Sequence, residues 1–494
     1  MNAIVKRCLY AKFRPSRITA IVCAYVAFLL FILYIIYTAW LGGRSLHPSL
    51  HPSKVVFERW STILFSIQYL LVFLGGFSLT AQEVYKERLQ KSIVFFESLP
   101  LRPGEKLRGM ILGSNLTNLL LILITIPLAV ISGLVGGINP YNIIATYMIL
   151  IPGIILVSLI GFVGTLSAGR LYRPSLFLFI FVMLIGPCTR YTWLMHRNIP
   201  MDPFSLLFPA FYYGMLFNGE ACNIYTISFF GWKWWVPLYG AFMYLYLGYW
   251  SALASIRKIK SEESPPLSLK QSVIFFFLSE LIFTGFMWDT YAYGGRSAIN
   301  SFLSLNLFNL FFALFVVSFF VKDYKTFLVS LGESNKKKVS ILHYIHRYPL
   351  LLGLIFWVYV FLLSIPSFWL FGELQLHHFL LYFLRMGLFL SLFIAVIELC
   401  AIILKERGKI LGWIIVVVLC IVPLVLGVAN ENYSVFFLSL SPAGIFSTSL
   451  RDIKDTIESI DLSFVYIVGG IVIFKILSLY RRKKLLKIRE RMVR

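Results

Sequence analysis

About twelve stretches of roughly twenty apolar residues recur along this chain, and that length is what a helix needs to cross a hydrocarbon layer about 30 Å thick. No other feature constrains the fold as much. In lipid, every backbone N–H and C=O must be bonded within its own segment or a closed barrel, and unbroken apolar runs of this length select helices. The composition agrees: the 494 residues are 59% hydrophobic and 14% charged, against about 25% charged in ordinary soluble domains. A large soluble catalytic domain, a disordered chain and a small disulfide scaffold are all excluded by these numbers.

The spans are expected at Ile18–Leu41, Trp60–Ala81, Met110–Val135, Ile143–Gly164, Ser175–Met195 and Trp234–Ile256. After the polar linker KIKSEESPPLSLK they resume at Ser272–Trp288, Ile299–Val321, Leu350–Phe371, Phe379–Leu404, Ile410–Ala429 and Phe464–Leu479. The first is too long for a signal-peptide core and lacks a small-residue cleavage site, so it reads as an uncleaved span. The expected fold class is therefore an all-α polytopic membrane protein of about 12 transmembrane helices.

The formal charge is +23, from 45 Lys and Arg against 22 Asp and Glu. A basic excess can signal nucleic acid, but here the positive charges alternate between spans and favour one set of loops by about four to one. That asymmetry predicts a multi-pass plasma-membrane protein with both termini in the cytoplasm and no nucleic-acid partner. The basic tail RRKKLLKIRERMVR reads as a topological anchor. Six cysteines (Cys8, Cys23, Cys188, Cys222, Cys400, Cys420) show no paired spacing. The pairs His47/His51 and His377/His378 lack a third ligand, so no metal and no cofactor is expected.

Six spans, a linker and six more predict a duplication, with halves at residues 1–260 and 261–494. Ser98-Leu99 matches Ser330-Leu331 at an offset of 232, and Phe208-Pro209-Ala210 matches Ser441-Pro442-Ala443 at an offset of 233. An even number of spans per repeat makes the halves parallel, related by an axis along the membrane normal.

The stretch TAQEVYKERLQKSIVFFESLPLRPGEKLRG, from Thr80, is the most informative loop. Tyr85, Leu89, Ile93 and Phe96 recur at helical spacing, while Glu83, Glu87, Gln90, Lys91 and Glu97 occupy other faces. That pattern predicts an amphipathic helix lying on the inner membrane surface, ended by Pro100 and Pro103-Gly104. Four acids accompany six bases there, more than topology requires, and this balance favours a partner-docking role.

Glu83, Glu87, Arg88 and Leu99-Pro100-Leu101 resemble the cytoplasmic coupling segment of type-2 ATP-binding-cassette (ABC) exporter permeases. In that family an acidic residue, an arginine and a Leu-Pro turn precede the third span. In the second half, Asp323, Tyr324 and Lys325 stand at the acidic start, and Leu331 is followed by Gly332 instead of proline. The resemblance implies a double-length permease whose coupling residues are Glu83, Tyr85, Glu87, Arg88, Leu99, Pro100, Asp323, Tyr324 and Leu331. It also implies cytoplasmic ABC ATPase subunits as partners, in two copies, moving an exported substrate that the residues do not identify. No G-x-x-x-x-G-K-[ST] phosphate cradle occurs in the chain; Gly408-Lys409 lacks both the upstream glycine and the hydroxyl.

Polar groups inside spans are costly and mark candidate functions. Glu280, Glu398, Asn115, Asn118, Asn306 and Asn309 are the candidates for a translocation path, with interhelical hydrogen bonding as the plainer role. Trp232, Trp234 and Trp235 suit an interfacial belt. Two other functions compete. A secondary transporter of the major facilitator type also has six plus six spans, but its short G-x-x-x-D-[RK] loop is missing here. A lipid-linked transferase would need acidic residues in an early outer loop, where only Glu58 stands, beside Arg59. Glu458 and its acidic neighbours come later and without a histidine, so the chain is not expected to be an enzyme.

Overall fold

The computed structural model describes residues 3–12, 14–43, 52–90, 100–168, 226–261, 264–292, 295–318, 320, 349–371, 376–403 and 411–420, with 468 and 472. The expected spans Ser175–Met195 and Phe464–Leu479, the basic tail and the four repeat landmarks lie wholly or mainly outside these residues. Of the interpretable residues, 90% are helical. Among the described residues, five helices are long and apolar enough to cross a membrane: Pro15–Ala39, Lys54–Leu89, Pro103–Gly136, Pro140–Ser167 and Leu269–Phe286.

The chain divides into two compact units, Met1–Leu267 and Ser268–Arg494. In the first, α1 (Ala3–Lys12) precedes α2 (Pro15–Gly43), with Pro15 at a helix start, where its missing N–H has no partner to lose. Phe28, Leu30, Phe31 and Tyr34 are exposed on α2, a surface suited to hydrocarbon and not to water. Next comes α3 (Pro52–Leu70), a π-helical turn (Leu71–Gly75) and α4 (Gly76–Leu89), one after another without a break.

Proline also starts α5 (Pro103–Gly136) and α6 (Pro140–Ala168). Between these two, Gly137 adopts a left-handed φ of 82°, and the Ile138 N–H donates to Gly133 O at 2.9 Å. Asn139 Oδ1 then accepts from the Tyr141 N–H at 3.0 Å, which opens α6.

A feature absent from the sequence expectations follows. Strands β1 (Thr226–Phe229) and β2 (Trp232–Trp235) pair antiparallel, with Phe229 opposite Trp232. Phe230 (φ 47°) and Gly231 (φ 87°) form the two-residue turn, both in the left-handed region that such hairpins require. The span expected from Trp234 therefore begins later: α7 runs Val236–Lys260, with Pro237 in its first turn. Trp234 faces Phe229 and Phe242, and Trp232 is 78% exposed.

The second unit contains α8 (Leu269–Ala292), α9 (Gly295–Ser318), α10 (Pro349–Phe371), α11 (Leu376–Ile403) and the shorter α12 (Leu411–Cys420). Its core is aromatic. Phe276 of α8 stacks on Phe356 of α10 at 4.1 Å and on Phe312 of α9 at 5.4 Å. Gly387 of α11 sits against the Trp357 indole, whose Nε1–H donates to Phe383 O at 2.8 Å.

Candidate functional site

Glu83, Tyr85, Glu87 and Arg88 lie on the last turns of α4. The segment differs from a rod lying flat on a surface, because as far as Leu89 it is the end of a helix begun near Pro52. The 36 residues Lys54–Leu89 span about 54 Å at 1.5 Å per residue, well beyond the hydrocarbon thickness. Within the protein, a different face of the helix is buried. Ala81 and Val84 are inside, Tyr85 is half-buried and Leu89 is 63% exposed. The physical reason is continuity: packing of Phe77 and Ala81 fixes the rotation of α4, and Val84 is the next residue on that face.

Val84 packs into a small core with Leu107 of α5 and with Leu159, Phe162 and Leu166 of α6. Ala252, Ile256 and Ile259 of α7 close over it. Two charged contacts add to this attachment. Arg88 Nη1 donates to Leu166 O at 3.4 Å, near the end of α6, where carbonyls lack helical partners and a cation is favoured. Arg7 of α1 pairs with Glu87 at 3.6 Å, with 52% and 13% of their side chains exposed. Pro100 is exposed just before α5, whose first turn is set by Glu105 Oε2 accepting from the Arg102 N–H at 3.1 Å. Leu99, Asp323, Tyr324 and Leu331 lie outside the described residues, as do Ile93 and Phe96 of the stripe.

Asn115 and Asn118 join helices. Gln68 Nε2 of α3 donates to Thr125 Oγ1 of α5 at 3.1 Å. One turn on, Asn118 Nδ2 donates to Leu71 O at 2.7 Å. Leu71 opens the π turn, and its carbonyl also accepts from the Gly76 N–H. Asn118 therefore supports the backbone where the helical ladder changes register. Further along, Asn115 Nδ2 donates to Thr80 Oγ1 at 2.8 Å and to Ser158 Oγ at 3.1 Å, linking α4, α5 and α6. Thr80 and Ser114 complete the group at 3.1 Å.

Interhelical bonds of this kind contribute about 0.6–2 kcal/mol each. Asn115→Leu is accordingly expected to lower the thermal unfolding midpoint in detergent, by an amount equivalent to about 1–2 kcal/mol. An unchanged midpoint would show that this seam is not holding the helices.

In the second unit, Glu280 on α8 is 1% exposed, and Asn306 and Asn309 are buried on one face of α9. Glu398 is buried on α11. Asn115 and Asn118 belong to a structural seam in the first unit, whereas Glu280, Asn306 and Asn309 belong to the core of the second. Among the described residues, no three of His, Cys, Asp and Glu gather as a metal site.

The α1 helix and the π turn were missed by sequence reasoning. The Gly75-Gly76 pair inside an apolar run is the one signal that pointed at the latter. Comparison of the chain with protein-family models, with curated proteins and with solved structures finds no match.

Proposed function

We propose that this chain is the transmembrane permease subunit of an ATP-driven exporter, built as two parallel six-helix halves and energised by separate cytoplasmic ATPase subunits. The ATPases dock on the end of α4 and on the corresponding segment of the second half. The observation that carries this reading is the build of the α4 end. It bears Glu83, Glu87 and Arg88, it continues a membrane-length helix, and Val84 fixes it to α5 and α6. A force applied there reaches three spans at once instead of being absorbed by a loop.

The π turn gives that force a place to act. In the five residues directly before α4 the chain has wide-turn geometry, and Gly75 and Gly76 lie close against Asn118 and Val157. Bending at this point lets the inner part of the helix move with α5 and α6 while the α3 part stays packed. Partner hydrolysis then rocks one set of spans and shifts the balance between inward- and outward-open states.

Affinity purification of the full-length protein from its native membrane tests the reading. An ATP-binding-cassette subunit is expected in stoichiometric amount. Its absence from a preparation that retains other membrane complexes would remove the exporter reading.

A further inference from the structure

The second unit holds a polar group that the proposed coupling mechanism does not use. Helices α8 and α9 are joined through residues 293–294, and Phe276 and Phe312, which stack on each other, lie 17 and 18 residues from that connection. The two helices are therefore an antiparallel hairpin, and Phe276–Phe312 fixes its register. One turn nearer the connection stand Glu280 on α8 and Asn309 on α9, at the same level in the interface. Glu280 and Asn309 are 1% and 2% exposed, and neither Glu280 Oε1 nor Asn309 Oδ1 receives a hydrogen bond.

The third helix adds another oxygen and no positive charge. Tyr359 of α10 stacks on Phe277 at 4.1 Å, and its hydroxyl points its hydrogen at Phe277 O, 3.5 Å away. It lies within electrostatic reach of Glu280. From α9, Asn306 and Asn309 share the buried face, and the helix's sole ionisable residue, Arg296, is thirteen residues from Asn309. Tyr359 is thus the only titratable group that the described parts of α9 and α10 bring to Glu280. Among the described residues the site gathers acceptors and no cation, although a carboxylate in an apolar core demands one.

We propose that Glu280 and Asn309 form a binding site for a small monovalent cation, an alkali-metal ion or a proton, held in the core of the second unit. The cation supplies what both oxygens lack: a single positive centre at the level where α8 and α9 face each other.

Thermal unfolding of the purified full-length chain in detergent, followed by tryptophan fluorescence, tests this directly. Na+, Li+ and K+ are compared with choline at constant ionic strength, and the series is repeated across pH. The wild-type midpoint is expected to rise saturably with one of the metal ions, and Glu280→Gln to abolish that rise. Asn309→Ala should weaken the apparent affinity about tenfold, and Asn309→Asp, which adds a charge, should strengthen it. If no metal acts but the wild-type midpoint rises as pH falls and E280Q flattens that slope, the occupant is the proton. Identical metal and pH responses in the wild type, E280Q and N309D overturn the proposal. N309D keeps the test decisive even if E280Q fails to fold.

Discussion

Alanine at Gly161 is expected to lower the unfolding midpoint steeply, while alanine at Gly164, three residues along the same helix, is expected to leave it unchanged or raise it. At Gly161 an added Cβ would lie 2.8 Å from Phe77 O, a backbone atom that no rotamer change can move aside. At Gly164 nothing lies within 4 Å. Overpacking costs about 1–3 kcal/mol, and a contact with backbone belongs at the upper end. Replacing an unconstrained helical glycine by alanine instead gains about 0.5–1 kcal/mol.

Gly136 carries the same argument further. Its Cβ would approach Glu58 N to 2.6 Å and Glu58 Cα to 2.7 Å, so Gly136→Ala forces α5 away from α3. Together with Gly153, which faces the Phe73 ring, these glycines let α3–α4 approach α5 and α6 closely enough for the hydrogen bonds of the polar seam. Thermostability in detergent, scored by the loss of the monodisperse elution peak, checks the series. Equal midpoints for G161A and G164A would show that close helix approach is not what holds the first unit together.

Much of the helical framework was legible because its signals are local. Unbroken apolar runs give the helices, although four of them begin at Pro15, Pro103, Pro140 and Pro349, ahead of the expected apolar starts. Asn115 and Asn118 were recognisable as one face of one helix. Their partners were not, because Asn118 bonds to a carbonyl made available by a π turn, and LVFLG reads like any other part of a span. The face of α4 that packs inside the protein was hidden for a related reason: Val84 and Tyr85 both continue an apolar stripe, and only contact with α5 and α6 selects Val84. The hairpin did leave a trace, in the aromatic-rich TISFFGWKWW with glycine at its turn, but its tryptophans also fit the edge of a span. Helix α1 had no such trace. Its basic residues are equally consistent with a solvated flank, and its pairing with Glu87 is a tertiary fact.

That pairing shapes the second large effect expected, the loss of coupled ATPase activity on reversing Glu87. Glu87→Arg places a positive charge where the proposed partner meets an acidic handle, and like-charge juxtaposition at an interface costs several kcal/mol, a loss of about a hundredfold or more in coupled activity. The same substitution breaks the contact with Arg7, so the result has two possible origins. Their sizes differ. The Arg7 partner is half exposed and 3.6 Å away, and pairs of that kind contribute about 0.2–1 kcal/mol, far too little to unfold the chain. A charge swap separates the two origins completely. If α1 is what Glu87 serves, the double variant Arg7→Glu with Glu87→Arg restores the pair and the activity. If Glu87 serves a docked ATPase, Arg7→Glu alone is mild, Glu87→Arg is severe and the swap stays severe, because the partner still meets the wrong sign. Turnover by the reconstituted complex, with and without transport inhibition, gives the readout. Rescue by the swap would move Glu87 from the docking surface to the clasp of α1, and the proposed handle would then rest on Glu83 and Arg88 alone.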